Sequence, residues 1–203
     1  MDTNSRSHII IPDANVCLAY SVNHKYRTHN KKTVHVRIPY SEAVEYYLAS
    51  EIPKRSIYVI RAIELETRRM MDKVLRDAVR RAGLLVRTRK SLMTPSLSRF
   101  YSLYDAISPS YYELIPDACM FYIDIWKDTS KDSKKKTWES IKKRHLKDGP
   151  PTGNDLVILA TAAKLAERYD VEILTFDHDF IVFSDEIKKV FNVDIVNAGM
   201  IPH

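Results

Sequence analysis

The sequence predicts an α/β fold: a three-layer α/β/α arrangement with a central, mainly parallel sheet, extended by a helical insertion. Three observations carry this. Short apolar, β-branched runs (Ile9-Ile10-Ile11, Ile173-Leu174-Thr175, Val193–Val196) alternate with segments of helical spacing, the pattern of a parallel sheet covered by helices. Helix-starting acids or their amides, Asp13 and Asn154-Asp155, open two of those segments. A further acid, Asp177, follows the apolar run that ends at Thr175.

The elements follow in order. Residues 8–11 form a strand that Pro12 ends, and Asp13 caps a helix through about Tyr20. The polar stretch Ser21–Lys32 is expected as a loop. A helix is expected over Ser41–Ser50, where Ser41 and Glu42 suit a first turn and Val44, Tyr47 and Leu48 make a face. Ser56–Ile60 reads as a second strand or as the start of the next helix. That helix runs from about Arg61 to Ala82 and stops at Gly83. Met71, Leu75, Ala78 and Ala82 make its apolar stripe. Arg69, Lys73, Arg76 and Arg80 repeat the same spacing two positions earlier, about 200° away, and form a basic stripe.

Residues 84–151 are read as a helical, basic insertion within a single domain spanning 1–203. Thr94-Pro95, Ser108-Pro109 and Ile115-Pro116 punctuate it. Its aromatics, among them Tyr101, Tyr104, Phe121, Tyr122 and Trp126, are expected to form a small core of its own, with stacking on unpaired bases as the functional alternative. Between Lys127 and Pro150 nine basic residues face four acids, a local charge of +5 (nine minus four), with Trp138, Ile141 and His145 as an apolar helical edge. A Pro150–Gly153 loop leads to a helix reaching about Tyr169. The strand Val171–Thr175, a helix over Ser184–Phe191 and the strand Val193–Val196 complete the chain.

The chain has 203 residues, enough for a sizeable core. Its net charge of +6 and pI of about 9.2 favour an acidic partner such as nucleic acid, although ordinary solubility charge explains them as well. No run approaches the roughly 20 apolar residues of a membrane span, and Met1–Ser7 lacks a signal-peptide core. A cytoplasmic protein with no membrane partner is the expectation. Cys17 and Cys119 fit no zinc pattern and are both read as buried, reduced thiols.

If the strands are parallel neighbours, Asp13, Asp155 and Asp177 meet at the carboxyl edge of the sheet, where such folds carry their sites. Each acid also has a plain reading, as a helix cap or a loop acid. Their joint placement is what suggests a divalent metal.

The segments Ile9–Val16, Ala62–Glu66, Asn154–Ala162 and Leu174–Phe180 resemble the PIN-domain family of nucleases. The resemblance covers residues 8–83 and 152–198, and its specific part is the last two segments in order. It departs from the family pattern at Pro12 and in the length of 84–151. The resemblance implies a metal-dependent endonuclease, mostly acting on RNA. Its four acids fall on Asp13, Glu64 (with Glu66 as competitor), Asp155 and Asp177. Asp179 is an additional metal ligand, and Asn15 and Thr175 are polar supports for the carboxylates.

Those acids suit Mg²⁺ or Mn²⁺, hard cations that prefer oxygen ligands and can activate water and clamp a phosphodiester. The implied partner is RNA, single-stranded first, with a homodimer and an antitoxin-like protein as further expectations. A toxin-type and an RNA-processing role stay open. The alternatives are a non-catalytic RNA-binding or assembly module and a structure-specific DNA nuclease. Arg69, Lys73, Arg76 and Arg80, and Lys134, Lys135 and Lys136, are the candidate phosphate contacts, each weighed against a solvated helix face. His178 sits between two acids, where an exposed loop histidine is more commonly neither a catalyst nor a substrate contact. His24 and His145 carry less weight, and His203 reads as a tail.

Overall fold

In a computed structural model of the chain, Ile10 and Ile11 are fully buried at the end of a short N-terminal strand, and the chain turns into a helix within one residue. The structure describes residues 7–54, 56–144, 151 and 153–201, without the side chains of 142–144. The readings of His145, Lys147, Asp148 and His203, and of residues 1–6, lie outside the described residues. In chain order the elements are β1 (His8–Pro12), α1 (Ala14–Ser21), β2 (Asn23–Arg27), β3 (Thr33–Arg37), α2 (Ser41–Ala49), α3 (Arg61–Arg81), α4 (Thr88–Tyr101), α5 (Ile115–Lys127), α6 (Asp132–Arg144), α7 (Gly153–Leu165), β4 (Asp170–Thr175), α8 (His178–Ile181), α9 (Ser184–Phe191) and β5 (Val193–Asn197).

The fold is mixed α/β, as expected. It falls into two compact units, Met1–Ile11 with Pro109–Asn197 and Pro12–Ser108 with Ala198–His203. The segment 84–151 is divided between them, α4 belonging to the second unit and α5 and α6 to the first.

The first unit holds a three-stranded parallel sheet in the order β1-β4-β5. The pairing of β4 with β5 runs from Val171↔Val193 to Thr175↔Asn197. Strand β4 lies in the middle and is buried from Val171 to Thr175, as a central parallel strand covered on both faces must be. Helix α7 packs on β4 and is buried over Ile158–Ala163, which explains why its sequence is apolar nearly all round. Helix α5 starts with Pro116 in its first turn, where a missing N–H costs nothing, and packs on α7.

The aromatics of α5 and α6 do not form a core of their own. Phe121 meets Phe191 at 5.3 Å, and Tyr122 and Trp138 meet Phe183 at 6.1 and 5.8 Å. Phe183, fully buried, is the ring around which they gather. Edge-on pairs of this kind add to simple area burial.

In the second unit α1 packs against α2, α3 and α4. The two-faced reading of α3 holds: Met71, Leu75 and Ala78 are buried, while Arg69, Lys73 and Arg80 are exposed. Gly83, at φ 69°, ends it in the left-handed conformation that glycine adopts without strain.

Four expectations need correction here. Residues 21–32 are not simply loop, because β2 and β3 pair antiparallel from Asn23↔Arg37 to Arg27↔Thr33. Of the two readings of Ser56–Ile60 the helix entry stands, with Ile60 as the N-cap of α3; the strand does not form, leaving isolated bridges at Ile57 and Ile60, the latter parallel to Ser108. Pro109 follows at once and has no N–H with which to extend a ladder. Helix α4 continues through Pro95. Leu92, Ser96 and Phe100, buried at four-residue spacing, hold it against neighbours strongly enough to outlast the lost hydrogen bond. Finally, Cys17 is buried but Cys119 is exposed; both are free thiols.

Candidate metal-binding carboxylates

In the first unit the carboxylates of Asp155, Asp177 and Asp179 each present an oxygen within 4.8 Å of the others. Their placement follows from the backbone. Asp155 lies in the first turn of α7, where unpaired N–H groups and the helix dipole favour an anion. Asp177 follows the carboxyl end of β4 and caps α8, its Oδ1 accepting from the Asp179 N–H at 2.9 Å. Thr175 supports it from the strand: its hydroxyl accepts from the Asp177 N–H at 2.8 Å.

Asp179 is 4% exposed. Its carboxylate accepts a hydrogen bond from the indole N–H of Trp138, and its backbone carbonyl accepts one from the Tyr122 hydroxyl at 2.7 Å. Burial pushes the Tyr122 phenol well above its ordinary pKa, reinforced by the negative charges of Asp179, Asp155 and Asp177. Tyr122 therefore stays protonated and remains a donor.

The second unit holds Asp13 and Glu64. Asp13 is 5% exposed and caps α1, its Oδ1 accepting from the Val16 N–H at 2.7 Å. Burial, with the charge of Asp13 behind it, pushes the Cys17 thiol well above its usual range, so this thiol is unreactive. Asn15 is half-buried in the first turn of α1.

Glu64 is 4% exposed in the first turn of α3, whereas its competitor Glu66 is half-buried. Arg61 forms an ion pair with Glu64 Oε2, and Arg68 reaches its Oε1 at 3.3 Å. The Tyr104 hydroxyl is buried without a hydrogen-bond partner. Burial raises its pKa, with Glu64 as the next largest cause.

The candidate phosphate contacts are unequal. Arg76 is paired with Asp72 at 2.7 Å, leaving Arg69, Lys73 and Arg80 as the exposed members of the α3 stripe. Lys134 is paired with Glu186 at 3.0 Å and Lys135 with Asp132 at 3.1 Å, while Lys136 is exposed. His178 opens α8 beside Asp177, and His24 lies at a side chain–side chain distance of 2.6 Å from Ser96.

Sequence reasoning missed Trp138, Tyr122, Arg61 and Tyr104 as neighbours of the acids. Trp138 was legible only as part of a helical edge, and nothing local in a sequence marks a partner 41 residues away.

No known protein family, curated protein or solved structure matches this chain. Among the described residues no helix is long and apolar enough to cross a membrane.

Proposed function

We propose that the protein is a metal-dependent endoribonuclease with a PIN-like, three-layer arrangement. The observation that carries the reading is the convergence of Asp155, Asp177 and Asp179 at the carboxyl end of a parallel strand. Carboxylates that close repel one another unless a cation or a proton intervenes. Their donor chemistry, all oxygen, fits Mg²⁺ or Mn²⁺.

When bound, the ion supplies an activated water and charge neutralisation at the phosphodiester. The chain's own residues do the positioning. Asp155, Asp177 and Asp179 would hold the ion; Asp13 and Glu64 are the further acids that the PIN resemblance implies. Trp138 and Tyr122 fix Asp179, and Thr175 fixes the loop that carries Asp177. Single-stranded RNA is the proposed substrate, in a cytoplasmic setting.

One observation favours the other reading, a non-catalytic RNA-binding module: Glu64 is already engaged by Arg61 and Arg68. Both readings are tested by incubating labelled single-stranded RNA and DNA with the protein in Mn²⁺ or in EDTA. Calorimetric titration of Mn²⁺ into wild type and Asp155→Asn accompanies it. Cleavage of RNA in Mn²⁺ alone, with Mn²⁺ binding lost in the variant, is the expected result. Absence of cleavage of either nucleic acid would remove the nuclease reading, and preferred cleavage of DNA would replace the substrate.

A further inference from the structure

The hairpin of β2 and β3 divides its residues by face. His24, Tyr26, Val34 and Val36 turn inward, Val36 fully buried and His24 meeting Ser96 of α4. Lys25, Arg27, Thr33, His35 and Arg37 occupy the opposite face and are all exposed. The register sets Lys25 opposite His35 and Arg27 opposite Thr33. The connecting turn, closed by Thr28 N–H to Lys32 carbonyl at 2.9 Å, adds exposed Lys31 and Lys32. No Asp or Glu occurs anywhere in 23–37. Unlike Arg76, Lys134 and Lys135, the cations Lys25 and Arg27 have no acid on their own ribbon to neutralise them.

At the end of β3 lies a hollow of roughly 340 Å³ lined by Arg37, Tyr40, Glu42 and Arg81. Arg37 is held there by Glu42. Tyr40, 48% exposed, lines this hollow together with Arg37, the last residue of the basic face. A cationic track with an adjoining aromatic is the pairing that single strands use, phosphates on the charge and a base on the ring.

We infer that the outer face of the β2–β3 ribbon is a binding surface for single-stranded RNA, with Lys25 and Arg27 on the phosphates and Tyr40 stacking a base. The choice of RNA rests on the proposed ribonuclease reading. Binding of this kind needs no metal, so it is measured apart from cleavage.

The test is fluorescence anisotropy with a labelled single-stranded RNA 20-mer in EDTA across a salt series. Lys25→Gln combined with Arg27→Gln should weaken binding about tenfold and flatten the log–log salt slope by about 1.4, the share of two phosphates on a single strand. Lys90→Gln combined with Lys189→Gln, equal in charge and elsewhere on the surface, should change the slope far less. Tyr40→Asn, whose residue type tolerates the left-handed backbone at φ 64°, should weaken binding at least fivefold with the slope unchanged. An unchanged slope in the ribbon variant, an equal effect in the control pair, or tighter binding of DNA would overturn the assignment. Ribbon-dependent binding without cleavage in Mn²⁺ would support the surface and remove the nuclease reading. Cleavage with an unchanged slope would do the reverse.

Discussion

The backbone N–H of Val16 donates to Asp13 Oδ1 at 2.7 Å, so a candidate metal ligand also closes the first turn of α1. The two roles separate by substitution. Asparagine caps as well as aspartate, so Asp13→Asn should hold stability within about 0.5 kcal/mol, whereas Asp13→Ala should lose about 1 kcal/mol. Both should abolish the proposed cleavage. Urea denaturation alongside an RNA assay reads both effects, and full cleavage by the asparagine variant would remove Asp13 from the site.

Trp138→Phe keeps the ring that faces Phe183 but deletes the donor to buried Asp179. A loss of about 1–3 kcal/mol is expected from leaving that carboxylate short of a partner. Saturating Mn²⁺ should recover part of it in thermal melts, because a ligand that binds only the folded protein stabilises it. Equal deficits with and without Mn²⁺ would argue that Asp179 is not a ligand.

Phe183→Ala removes the ring shared by Tyr122 and Trp138. Large-to-small changes at fully buried aromatics cost about 3–5 kcal/mol. Denaturant midpoints should show it, and a change below about 1 kcal/mol would mean that the cluster collapses around the gap.

His24 has its pKa lowered, first by desolvation and then by the positive charge of Arg99. Its folded value therefore lies below its unfolded value near 6.5. Below about pH 6.5 the unfolded chain binds the extra proton more readily, so stability falls as pH drops through that range and levels off below the folded value. His24→Gln should remove this part of the slope. Denaturation at pH 7.5, 6.5 and 5.5 compares the two, and parallel curves would refute the assignment.

Elements with strong local signals were legible in the sequence. The β-branched run at Ile9–Ile11, the two stripes of α3 and the Gly83 stop all fix local structure without help from distant parts. The β2–β3 hairpin was not legible, because its outward face carries Lys, Arg and His and its inward face mixes His24 and Tyr26 with valines, so neither face reads as plainly apolar. The strand reading of Ser56–Ile60 failed for the opposite reason: its residues favour a strand, but the pairing of Ile60 depends on Ser108 and stops at Pro109, and the segment serves as the entry to α3. At the site, Asp155 and Asp177 could be placed from strand and helix boundaries. The donors that orient Asp179 come from α5 and α6 and are set by tertiary packing alone.

Trp126 and Trp138 are the two tryptophans of the chain, and their rings meet edge-on at 5.1 Å. Since one of them is bonded to Asp179, all indole fluorescence originates beside the acid cluster. An ion or a proton arriving at that carboxylate changes the field across the ring that grips it. The protein thus carries a built-in optical probe of this corner, which needs no label and no substrate.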